Sequence, residues 1–122
     1  MSDHVALAAL LVHTKHGLTA VRDAHVQLRL LTEAGDSRYL GWAIDDLNSS
    51  LTALDKLDAR RRTITGGTAA QAWIDSAPDD LALTMERTIA EITTLLSEIH
   101  EERARARRAT HTQLSVRSRT PE

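Results

Sequence analysis

Apolar residues recur at three- and four-residue spacing along most of this chain. Leu7, Leu11, Leu18, Val21 and Leu28 form a first stripe, interrupted by Thr14 and His25. Leu40, Ile44, Leu47, Leu51 and Leu54, continued by Leu57 or Ile64, form a second. Met85, Ile89, Ile92, Leu95 or Leu96, and Ile99 form a third. Such stripes bury one face of an amphipathic helix, and alternation of period two, the mark of a strand, is absent. Three breaks separate the stripes. At Ala34-Gly35-Asp36-Ser37, Gly35 suits a helix end and Asp36 or Ser37 the cap of the next. At Thr65-Gly66-Gly67-Thr68 the glycines end a helix and Thr68 can cap a short one. At Ser76-Ala77-Pro78-Asp79-Asp80 the proline disfavours helix at Ala77, and the two acids suit a new N-terminus. The pattern predicts helices over about 3–34, 37–65 and 79–112, with a short helix near 68–76.

The expected fold is therefore all-α: an elongated antiparallel bundle of three long helices, with a short helix between the second and third. Residues 1–114 form one helical domain and 115–122 a flexible tail. A helix of about 30 residues is about 45 Å long, and coiled-coil-like packing follows from the stripe spacing. Past Ile99 the third helix carries no large aliphatic before Leu114. That half either projects or packs through Ala104, Ala106 and Ala109 at low energetic return.

Composition sharpens this. Of 122 residues, 42% are hydrophobic but only 2% aromatic, with no Phe. The seams must be aliphatic, with Tyr39, Trp42 and Trp73 left to plug the bundle ends. Two prolines and five glycines are too few for a β-sandwich. The absence of cysteine excludes disulfides and thiolate metal sites. No apolar run reaches the roughly 18 residues of a membrane helix. Val5–Val12 lacks the basic flank of a signal peptide, so a cytoplasmic location is expected. Net charge is −2, but residues 100–122 carry +3 against −5 for the rest, a basic arm after an acidic body.

Candidate chemistry is sparse. His13 and His16 share a helical face, with His4, His25 or Asp23 as further ligand candidates, but no His-Glu-x-x-His or Glu-x-x-His motif occurs. A packed His25 and solvated His13 and His16 are the simpler reading, so no metal or other cofactor is assigned. No nucleophile elbow or phosphate loop is present. The acid pairs Asp45-Asp46, Asp79-Asp80 and Glu101-Glu102 are neighbours that point apart on a helix. Arg60-Arg61-Arg62 suits a helix C-terminus, and the arginine arm lacks the aromatics of a nucleic-acid platform. The chain is read as a binding protein rather than an enzyme.

The run from Gly35 to Arg62, Gly-Asp-Ser-Arg-Tyr-Leu-Gly-Trp-Ala-Ile-Asp-Asp-Leu through Leu-Asp-Ala-Arg-Arg-Arg, resembles the middle of FlgN-type flagellar export chaperones. Ala70-Gln-Ala-Trp-Ile-Asp-Ser-Ala-Pro78 and the helix over 81–114 extend the resemblance to about residues 5–114. It departs at Glu101–Arg108, where the family is often Asn-rich, and at Thr14-Lys15-His16. The resemblance implies a cytoplasmic helical chaperone that keeps the terminal helices of hook–filament junction proteins soluble for type III export. Carried onto this chain, client contact would involve Ile92, Leu95, Leu96 and Ile99, with Arg103 and Arg107 alongside. A client stripe should be partly exposed in the free chain, whereas core residues would be buried. Two alternatives remain: a small helical secretion partner or self-associating coiled coil, and, from another class, a His-liganded metal-binding helical protein.

Overall fold

A computed structural model describes residues 2–119, without the side chains of Ser2, Gln113 and residues 115–119. It is all-α: α1 spans Ser2–Glu33, α2 Leu40–Thr65, α3 Ala70–Asp75 and α4 Asp79–Arg119. Three long helices pack as an antiparallel bundle in which α1 runs against α2 and alongside α4.

The helix ends follow from local chemistry. Gly35 (φ 67°) closes α1: its N–H donates to the Thr32 carbonyl, while the Asp36 N–H donates to Leu31. These two hydrogen bonds satisfy carbonyls the helix leaves open, and the positive φ is why glycine sits there. Asp36 does not cap α2 directly. Its carboxylate accepts the Arg38 N–H at 3.0 Å, and the adjacent Arg38 guanidinium holds that carboxyl below its usual pKa. Tyr39 is the N-cap and offers no side-chain bond, so α2 begins at Leu40, later than the expected 37. Ala69, not Thr68, is the N-cap of α3. At the other end α4 runs to Arg119 rather than stopping near 112. The arginine- and alanine-rich continuation consists of strong helix formers and meets no glycine or proline before Pro121. Residues 120–122 of the expected tail lie outside the described residues.

Packing follows strict heptads. On α4 the residues turned inward are Leu81, Met85, Thr88, Ile92, Leu95, Ile99, Glu102, Ala106 and Ala109, at alternating four- and three-residue steps. On α2 they are Leu40, Ala43, Leu47, Ser50, Leu54, Leu57, Arg61 and Ile64. Helix α1 carries two rows because it has two neighbours. Leu7 and Leu11 join Ile74 of α3 and Met85 of α4 in the buried cluster at one end of the molecule. Gly17 meets α2, where an added Cβ would lie 2.8 Å from the Leu54 side chain. Trp73 packs edge-on against His4 with centroids 5.1 Å apart, and so seals this end as expected. Tyr39 and Trp42 do not plug the other end; both are largely exposed. Leu40, not the aromatics, carries the inward position there.

Helix α4 is also tied to α1 by charge, which the sequence pattern did not reveal, and the last of these ties, at Glu102, anchors its alanine-only half. Lys15 pairs with Glu91 at 3.0 Å, Arg22 with Glu98 at 2.7 Å, and Arg29 with Glu102 at 2.7 Å. The three bases recur every seven residues along α1, so one edge of the parallel pair is an ion-pair ladder. Its first two rungs are solvated and each contributes roughly 0–1 kcal/mol. The third differs. Glu102 is buried in the seam, gripped by Arg29 and approached by Arg105 at 3.4 Å, and the Arg29 hydrogen bond lowers its pKa. One turn away on α1, burial lowers the pKa of His25, aided by the nearby Arg103 charge.

Candidate partner-binding corner

The arrangement of the three long helices leaves one corner open. On α1, Leu11 belongs to the cluster that holds Met85 of α4, whereas Gly17, about 120° round the helix, meets Leu54 and Leu57 of α2. Each helical residue turns by about 100°, so these two contacts put α2 and α4 on α1 in directions at least about 100° apart. A closed triangle of helices would require about 60°. With packed neighbours 8–10 Å apart, an angle of about 100° sets α2 and α4 about 14 Å from each other. They accordingly pack far less closely on each other than either does on α1, and meet chiefly at one end, where Ile64 of α2 packs against the cluster that holds Met85 of α4. Three helices at a right angle are three corners of a four-helix bundle.

The vacant corner is apolar. Helix α2 turns one flank, with Ala53, Lys56 and Arg60, toward the groove it shares with His13 and His16 of α1. Ile44 and Leu51 lie on the opposite flank, 47% and 41% exposed. Helix α4 turns Arg87, Glu91 and Thr94 toward the ion-pair edge. Its opposite flank carries Ala82, Ile89, Leu96 and Arg103 at seven-residue spacing, with Arg107 one turn beyond. Ile89 is partly buried against the cluster, and Leu96 is 52% exposed. Leu51 and Leu96 share a level. The Gly17–Leu54 contact places Leu51 about one turn further along α1, near Ala20, and the Lys15–Glu91 and Arg22–Glu98 pairs place Leu96 there too.

The six client-contact candidates therefore divide. Leu95 is buried and Ile92 packs against the core cluster, with Ile99 half-buried in the same heptad row. Leu96, Arg103 and Arg107 are exposed on the flank facing the open corner. The sequence reading did not single out Ile44 and Leu51 as surface residues. Both keep the helical period of the α2 stripe, and only the absence of α4 beside them leaves them uncovered.

Among the described residues no three His, Asp or Glu side chains converge as metal ligands would. His13 and His16 line an open groove, and His4 meets Ser76 Oγ at 3.0 Å. No described helix is long and apolar enough to cross a membrane. Comparison with family models, curated proteins and solved structures finds no match.

Proposed function

We propose that this chain is a helix-binding adaptor of the kind its sequence resembles, an export chaperone of FlgN type acting in the cytoplasm by binding and not by catalysis. One observation carries the proposal: the α2–α4 corner is open and lined by the exposed side chains of Ile44, Leu51 and Leu96. An amphipathic partner helix placed there completes a four-helix bundle and buries its own apolar stripe, which is helix-in-groove recognition. Within this reading Leu96 makes the apolar contact, and Arg103 and Arg107 meet acidic residues of the client. Ile92, Leu95 and Ile99 hold α4 against α1 and contribute the wall behind the groove.

Co-purification with hook–filament junction proteins tests the proposal. The intact chain retains such a client. The double change Leu51→Asp with Leu96→Asp releases it while the helical content measured by circular dichroism persists, and removal of residues 100–122 releases it with no loss of helix beyond that of the deleted part of α4. Failure of every junction protein to bind the intact chain sinks the chaperone reading.

A further inference from the structure

A second groove runs along the opposite side of the α1–α2 pair, and the open corner does not use it. Its floor is apolar, formed by Leu10, Gly17, Leu57 and Ile64 with alanines between them. Above that floor stand His13 and His16 of α1 and Lys56 and Arg60 of α2. All four are exposed, and none makes an ion pair or hydrogen bond among the described residues. This contrasts with the next residues along α2, where Asp58 already holds both Arg61 and Arg62. The acids on the groove-side flanks, Asp23 of α1 and Asp45 and Asp46 of α2, lie beyond its Gly17–Ala53 end.

We propose that this groove is a second docking site, which takes an acidic amphipathic helix of a partner protein. Three features select that occupant. The groove extends from the level of Ala6 and Ile64 to that of Gly17 and Ala53, about 17 Å, or three helical turns. Its concave floor between two antiparallel helices matches the convex apolar stripe of a third. The unpaired positive charges of Lys56 and Arg60 on the α2 bank complement acidic residues flanking such a stripe and repel a basic one, and the His13 and His16 rings opposite add hydrogen-bonding groups. A nucleic-acid strand would want large stacking rings, and no Phe, Tyr or Trp lines the groove.

The test uses the full chain and a fluorescein-labelled peptide of four helical turns, with leucines on one face and glutamates beside them. A second peptide carries lysines in place of the glutamates. Fluorescence anisotropy at low salt should show the acidic peptide binding at least about tenfold more tightly than the basic one, equivalent to about 1.4 kcal/mol. The double variant Lys56→Glu with Arg60→Glu should abolish that preference without changing the thermal melt, because neither side chain holds a partner. Leu51→Asp with Leu96→Asp should leave acidic-peptide binding intact, so this site and the chaperone corner can fail separately. Equal affinity for both peptides, or binding unaffected by the charge reversal, overturns the proposal. Binding through Lys56 and Arg60 to phosphatidylglycerol vesicles but not to the peptide replaces it with a membrane surface. Self-association in sedimentation velocity that the charge reversal disperses replaces it with a second copy of the chain.

Discussion

Leu95 and Leu96 are adjacent, chemically identical and assigned opposite roles, so truncating each in turn tests the packing directly. Leu95 is 6% exposed in the α1–α4 seam, and Leu96 is 52% exposed on the open flank. Fully burying a leucine side chain contributes about 1.5–3 kcal/mol. For Leu95→Ala nearly all of that is lost, and a cavity is left between two helices that cannot close over it. The expected cost is about 3 kcal/mol, within the range of about 2–5 for core leucines. For Leu96→Ala about half of the transfer term is lost, no cavity forms, and alanine's helix preference returns a few tenths. The net cost should stay below about 1 kcal/mol. Urea unfolding followed by circular dichroism measures both, provided the slope with denaturant is unchanged. At about 4 °C per kcal/mol for a chain of this size, the melts should fall by about 12 °C and by less than about 4 °C. Equal losses, or a larger loss at Leu96, would refute the assignment of the seam and with it the open flank.

Other expectations concern polar groups inside the bundle. Glu102→Gln should destabilise the chain by about 1–2 kcal/mol at pH 7, since a charged hydrogen bond to Arg29 is lost in a nearly closed setting. Because the native pKa of Glu102 is lowered, its contribution is present above the unfolded value of about 4.3 and disappears as pH falls through the native one. Denaturant midpoints from pH 7 to 3 should therefore fall more steeply for the parent chain than for the Gln variant. His25 also has a lowered native pKa, so the unfolded chain takes up its proton first and stability declines as pH drops below about 6.5. His25→Leu should flatten the stability profile between pH 7 and 5. The Thr65 hydroxyl is buried without a hydrogen-bond partner, so Thr65→Val should raise stability by about 1 kcal/mol in thermal or urea melts.

Much of the fold was legible because heptad spacing encodes which residues turn inward. Leu7, Leu11, Leu18 and Val21 are buried as their stripe predicted, and the breaks at Gly35 and Gly66 fall at left-handed helix ends. What periodicity cannot encode is the angle between neighbours. Ile44 and Leu51 fit the α2 stripe as well as Leu47 does, and the choice between Leu95 and Leu96 is open by the same count. Both resolve only once α2 and α4 are placed at about a right angle around α1. The ion-pair ladder was hidden for a related reason: its partners lie more than 70 residues apart, and a charge in isolation reads as a solvated face. Glu102 in particular, read from the sequence as part of a solvated acid pair, occupies an inward heptad position and is buried. That placement explains how a half-helix with only alanines at its seam still runs beside α1. Tyr39 and Trp42 mislead in the opposite way, since their size suggested burial that the turn at Asp36–Arg38 does not provide.

Occupation of the open corner by a helix can be observed at single residues, because the chain has no cysteine of its own. An environment-sensitive fluorophore is placed in turn on Leu51→Cys, Leu96→Cys and, as an outer-face control, Leu83→Cys. The terminal helical segment of a hook–filament junction protein is then titrated into each. Blue shifts at 51 and 96 that saturate together, with none at 83, are the predicted result. A client that binds without shifting either corner probe, or that shifts only the one at 83, would contradict the claim that the α2–α4 corner is where this protein receives its partner.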